Sequence, residues 1–253
     1  MKLIEFTGAR RIPLIGRLDL LQEAERRVGR GGVHLLYFEG SGGIGKTALL
    51  EAILERSQRG GRAETPSGCC VAHAVVDLHH VDVYSPEGLI RRIMEVLGKW
   101  FFQEAQELLP ALERARLAGD MGAIRHSEEA LQVAFFAELA ALSEDGVVLA
   151  FDTLEVLDHE HDLFQDELGE EAPALSGVRW LLESFLPGLR GNVLILLAGR
   201  SREVPRKLEL LHEENDRILI RRIELAPFTQ DETSEYLKGI AQVFSRPVVM
   251  KMS

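Results

Sequence analysis

The sequence is short of cysteine, of tryptophan, of positive charge and of long apolar runs. Its two cysteines, Cys69 and Cys70, are adjacent. Neighbouring cysteines cannot form an ordinary framework disulfide, which excludes a disulfide-stapled scaffold and points to a reducing compartment. Basic residues number 29 against 40 acidic ones, and the net charge of −11 argues against a bulk electrostatic grip on nucleic acid or an anionic membrane. The most apolar stretches, Val147–Phe151 and Val193–Ala198, fall far below the roughly 20 residues that span a bilayer. Met1–Glu5 lacks the apolar core of a secretion signal, so a cytoplasmic location and no membrane partner are expected. No internal repeat, G-x-S-x-G elbow or C-x-x-C pair is present, which leaves serine-hydrolase and zinc-ribbon chemistry without support.

What remains is an ordinary globular composition, 46% hydrophobic and 27% charged over 253 residues. Short runs rich in Val, Ile and Leu read as central strands buried on both faces of a parallel sheet. Five are expected: Val33–Phe38, Cys70–Val76, Gly146–Asp152, Val193–Ala198 and Ile218–Leu225. Helices alternate with them over Lys46–Gln58, from the Ser85-Pro86 start to Leu97, over Trp100–Ala118 and Ala123–Leu142, and around Val178–Leu186. Pro110 is expected to kink or split the third of these. Thr229 and Glu232 form a capping-box signature for a last helix. The pattern predicts an α/β fold with a mostly parallel five-stranded sheet. It divides into a leading segment over 1–30, a core over 31–245 with a helical insertion at about 99–143 between the second and third strands, and a short tail over 246–253.

The chemistry concentrates after the first strand. Gly40-Ser41-Gly42-Gly43-Ile44-Gly45-Lys46-Thr47 matches the phosphate-binding pattern G-x-x-x-x-G-K-[ST], with a strand before it and a helix after. Glycines let successive backbone N–H groups converge on phosphate oxygens, and the positive end of the new helix adds to that field. Lys46 would reach the β- and γ-phosphates and Thr47 would ligate Mg²⁺. Gly40, Gly42 and Gly45 also satisfy the dinucleotide pattern G-x-G-x-x-G, and glycine-rich turns occur without any ligand. The dinucleotide alternative needs an acidic residue ending the second strand. Glu64 stands at that distance but in loop sequence, and Lys46-Thr47 is what a P-loop requires.

A P-loop ATPase also needs a strand-end carboxylate for its magnesium shell. Val147–Phe151 followed by Asp152 supplies one. Glu155 is the nearest candidate for polarising the attacking water, against the alternative of a solvated loop carboxylate. Arg200 leaves the fourth strand where a cation would stabilise γ-phosphate charge, against the alternative of a plain surface arginine, with Arg202 next in order. No [NT]-K-x-D segment is present to select guanine, so adenine is favoured.

These blocks together resemble the STAND class of signal-transduction ATPases, relatives of the AAA+ ATPases and of the origin-initiator ATPase domain. The likeness covers Ile12 to Leu237. It is carried by Pro13-Leu14-Ile15-Gly16-Arg17-Leu18-Asp19-Leu20-Leu21, by Gly42–Leu49 including Ala48, by Phe151–Glu155, by Ala198–Arg202 and by Leu225-Ala226-Pro227-Phe228-Thr229. The resemblance implies the three-layer P-loop sandwich, ATP/ADP and Mg²⁺ as ligands, and Ile15, Gly16 and Arg17 against the adenine and phosphates. Many relatives carry two adjacent acidic residues where this chain has Asp152-Thr153, which implies slow hydrolysis. The lid and winged-helix domains of the class find no counterpart in the sequence after Leu237, so a nucleotide-binding core without its usual attachments is expected.

The function expected is a slow, Mg-dependent ATP switch that controls assembly or signalling, with a protein partner or self-association. The alternatives are a DNA-associated initiator-like ATPase, using Arg26, Arg27 and Arg30 or Arg217, Arg221 and Arg222, and a truncated module with little turnover. Asp158-His159-Glu160-His161-Asp162 lacks the spacing of a helical metal site and reads as solvated loop. Trp100, Phe101, Phe102, Phe135 and Phe136 read as helix-packing residues.

Overall fold

The computed structural model describes residues 16–58, 68–156, 176–200 and 203–245. Six parallel strands build its central sheet among these residues: β1 (Val33–Glu39), β2 (Cys70–Val71), β3 (Val76–Asp77), β4 (Val147–Asp152), β5 (Val193–Gly199) and β6 (Ile218–Glu224). Their spatial order is β2, β4, β5, β1, β6, with β3 also paired to β4. β4 and β5 are buried throughout and β1 at every residue but Glu39, because helices cover both faces. The stretch expected as one second strand is broken in two. His73 causes the break: its N–H donates to the Val96 carbonyl at 2.9 Å and its ring Nδ1 lies 2.9 Å from the same oxygen. The residues between β2 and β3 therefore turn away from the ladder.

The helices are α1 (Leu18–Glu25), α2 (Lys46–Gln58), α3 (Pro86–Leu97), α4 (Gln103–Ala118), α5 (Met121–Leu142), α6 (Ser176–Trp180), α7 (Val204–Glu214) and α8 (Gln230–Ser245). A π-helical turn over Leu181–Phe185 and a final turn over Leu186–Gly188 prolong α6. Ser85 caps α3 by accepting the Gly88 N–H at 3.1 Å, with Pro86 in the first turn. Thr229 and Glu232 form the reciprocal cap of α8: the Thr229 N–H donates to Glu232 at 2.7 Å and the Glu232 N–H to Thr229 Oγ1 at 3.3 Å. α5 starts at Met121, two residues before the expected Ala123, because Asp120 accepts the Ala123 N–H and serves as its cap. α4 runs without interruption through Pro110. That residue is exposed, so the carbonyl it leaves unbonded lies on the solvent side of the helix. Neither α1 nor α7 figured in the expectations.

Phe102, Phe135, Phe185 and Phe151 form a buried chain with successive ring centroids 5.6, 6.2 and 6.0 Å apart. It ties the α4–α5 hairpin and the turn after α6 to β4. Trp100 and Phe101 depart from their expected packing role and are 71% and 40% exposed, the Trp100 ring lying over Gly98. No described helix is long and apolar enough to cross a membrane.

Candidate functional site

Strand register aligns the carboxyl ends of the sheet. Glu39 stands opposite Gly199 on one side and Glu224 on the other, Phe151 opposite Leu197, and Asp77 opposite Asp152. The segments leaving β1, β5, β4 and β3 thus emerge along one edge, where open α/β sheets bind ligands. β5 lies between β1 and β4, so the segment leaving it separates the glycine loop from Asp152.

The loop Gly40–Gly45 links β1 to α2 and contributes its backbone outward. Gly43 and Gly45 adopt φ of 76° and 92°, the left-handed region, and a Cβ on either would meet nothing within 4 Å. The loop thus stands open at the α2 N-terminus, where glycine-rich strand–helix turns receive anions, with the Ile44 N–H closing its own turn on the Ser41 carbonyl at 3.4 Å. Gly40 packs under Leu225, with Ile44 against its inner side. Ser41 and Gly42 lie exposed on the rim, and Thr47 and Ala48 stand exposed in the first turn of α2. Lys46 is only 8% exposed and its ammonium donates to the Gly40 and Ser41 carbonyls at 2.7 and 3.1 Å.

Asp152 is 7% exposed and held from both sides. The Thr47 hydroxyl donates to its Oδ2, and the Thr153 N–H donates to its Oδ1 at 2.8 Å. Thr153 reaches that position with φ of 67°, an unfavourable conformation for a β-branched residue.

Glu155 and Arg200 meet. Arg200 Nε donates to Glu155 Oε1 at 3.1 Å, and a Cβ on Gly42 would stand 3.3 Å from Arg200 Nη1. The guanidinium therefore bridges the glycine loop and the Glu155 carboxylate. Arg202 lies outside the described residues, as do Glu64 and the whole of Asp158–Asp162.

The Gly16-Arg17 pair joins the site from the far side. Arg17 donates to the Ala226 carbonyl at 2.7 Å and sits 5.4 Å over the Phe228 ring. Gly16, at φ of 67°, presses against the Glu232 side chain so closely that a Cβ there would fall 1.9 Å from Oε1. The bonds from the Thr229 backbone and hydroxyl, with Arg17 nearby, hold the Glu232 carboxyl below its ordinary value. Arg17 thus reaches the site through the β6 exit, one residue from the Leu225 that covers Gly40. Ile15 lies outside the described residues.

Several site residues escaped the sequence reading. A cleft of about 630 Å³ opens beside Thr47 and Asp152, lined by Glu51, Glu55, Gln58, His73 and Asp77. Two signals were available for these: the positions 47, 51, 55 and 58 share one face of α2, and Asp77 is a second strand-end carboxylate. Among the described residues no group of three or more metal-ligating side chains is found. The two arginine clusters are brought together and partly neutralised: Arg26, Arg27 and Arg221 surround Glu23, and Arg222 pairs with Glu39. Burial pushes the Glu23 carboxyl up, but Arg27, Arg221 and Arg26 outweigh it and hold the carboxyl below its ordinary value.

A sequence model of the AAA ATPase domain matches residues 13–181, from the Gly16-Arg17 segment through the glycine loop and Asp152 to the turn after α6. No curated protein matches the chain.

Proposed function

Because the chain belongs to the AAA ATPase domain family and is a nucleotide-binding ATPase domain, we propose that it binds ATP with Mg²⁺ and acts as a slow ATP/ADP switch for assembly or signalling. The observation that carries this is the Thr47–Asp152 hydrogen bond beside the buried Lys46, at the mouth of an anion-receptive loop. The donor set suits the metal, since a hydroxyl and a carboxylate are the hard oxygen ligands that Mg²⁺ prefers. Bound there, Mg²⁺ would neutralise charge on the phosphates. Lys46 exchanges its loop carbonyls for phosphate oxygens, and the N–H groups of Gly42 to Ala48 cradle the rest. Arg17, with Gly16 and Ile15, borders the nucleotide. Arg200 contacts the γ-phosphate and Glu155 polarises water.

Turnover is slow for two reasons. Thr153 stands where a second acidic residue would assist, and Arg200 engages the Glu155 carboxylate. The protein partner, or self-association, is what the switch would control.

Denaturing the purified chain and identifying the released nucleotide tests the proposal. Near-stoichiometric ADP or ATP is expected, or uptake of added Mg·ATP by a chain purified empty. Phosphate release should run well below the ~1 s⁻¹ at the slow end of typical enzymes. A chain that releases no nucleotide and takes up none would overturn it.

A further inference from the structure

Glu155 and Arg200 are the two candidate catalytic groups of the site, and they neutralise each other. The bond is 3.1 Å long, with Arg200 59% exposed and Glu155 only 17% exposed. The other carboxylate oxygen, Glu155 Oε2, is buried, and the described residues offer it no hydrogen-bond partner. It lies against Gly199, the last residue of β5, where a Cβ would meet it at 3.3 Å and Leu154 at 3.0 Å. Gly199 therefore leaves the room in which the carboxylate lies beside the end of β5. Arg200 is the next residue, and its guanidinium already reaches the loop at Gly42. The carboxylate is the confined member of the pair and the guanidinium the movable one.

We infer that Glu155 sets the preference of this site for ATP over ADP by competing with the γ-phosphate for Arg200. The inference rests on the ATP-binding function proposed above. A phosphate beyond the loop is a stronger acceptor for a guanidinium than a single carboxylate oxygen. ATP presents that phosphate and ADP does not, so only ATP draws Arg200 away from Glu155. The cost of parting the pair falls on ATP binding alone, because a state that must first be released lowers apparent affinity by the fraction released. The same exchange frees the Glu155 carboxylate only when a γ-phosphate is present, which confines water activation to the ATP state. Glu155 is in this sense a positioning residue as well as a candidate base.

Binding of Mg·ATP and Mg·ADP to four proteins by calorimetry tests the exchange: the wild-type chain, Glu155→Gln, Arg200→Ala and the double variant. Exposed ion pairs are weak, so Glu155→Gln should raise the ATP:ADP affinity ratio by about three- to fivefold. Arg200→Ala should lower it. In the Arg200→Ala background, Glu155→Gln should leave the ratio where Arg200→Ala put it, because the partner is gone. A ratio raised equally in both backgrounds would show that Glu155 acts as a diffuse charge and would overturn the inference. No change in either background would overturn it too. If the wild-type chain binds neither nucleotide, the ATP-binding proposal itself fails, a result distinct from an unaltered ratio.

Discussion

β6 lies directly beside β1, the strand that leads into the glycine loop, and β4 lies one strand away across β5; β4 is buried at every residue while β6 is half in solvent. The difference shows in how each holds its functional group. Asp152, at the end of β4, is clamped by the Thr47 hydroxyl and the Thr153 N–H, and the residue before it, Phe151, packs on Phe185 across the other face of the sheet. Arg17, beyond the end of β6, is held by one carbonyl and one aromatic face. α8 follows β6 and is mostly exposed over its described side chains, its cap at Glu232 being its tie to Gly16. Groups resting on packed aromatic core keep one geometry, whereas groups held by a few exposed polar ties open at little cost. The Thr47–Asp152 end of the candidate site is thus the more rigid. Movement with nucleotide state is expected where Gly16 and Arg17 meet α8.

Phe151→Ala should break the contrast most severely. Removing a buried aromatic from the strand that ends in Asp152 is expected to cost about 3–5 kcal/mol in a denaturant melt. A loss under 1 kcal/mol would mean that β4 is no more rigid than β6. Gly16→Ala comes next, because the new Cβ is strained at the positive φ of this position and collides with Glu232. A cost of about 1–2 kcal/mol is expected, appearing as faster hydrogen exchange at the start of α8 with β4 unaffected. Exchange that quickens equally in both places would erase the distinction.

Phe228→Ala should cost less, up to about 1 kcal/mol, the worth of an exposed cation–π contact. The smallest effect sharpens the comparison by pH. The Glu232 carboxyl is held below its ordinary value by the Thr229 backbone and hydroxyl, so its contribution is present above the unfolded value and fades as pH falls through the folded one. Acid should therefore loosen the α8 N-terminus before it touches β4. Glu232→Gln, which keeps an acceptor and loses the titration, should remove that early acid step; its survival in the variant would place the titrating group elsewhere.

Local signals carried well from sequence to structure. The glycine loop, the Val/Leu/Ile strands, the Ser85 cap and the Thr229–Glu232 box are each written within a few residues. The break between β2 and β3 was not, because it is made by the Val96 carbonyl, 23 residues from His73. Pro110 was misjudged because its effect depends on which side of α4 meets solvent. The helix α7 has a signal of its own in Val204, Leu208 and Leu211, which share one buried face, but it is a short one. Glu155 and Arg200 were each picked out singly. Their pairing depends on the register of β4 against β5 and is invisible in either segment alone.

The central claim is that Lys46, Thr47 and Asp152 form one Mg·ATP site, and titrating ATP with and without Mg²⁺ tests it most directly. The wild-type chain should bind Mg·ATP, and Lys46→Ala should abolish measurable binding. Asp152→Asn should bind ATP with little dependence on Mg²⁺. Lys46→Ala binding Mg·ATP as the wild type does, or Asp152→Asn keeping the full Mg²⁺ dependence, would contradict it.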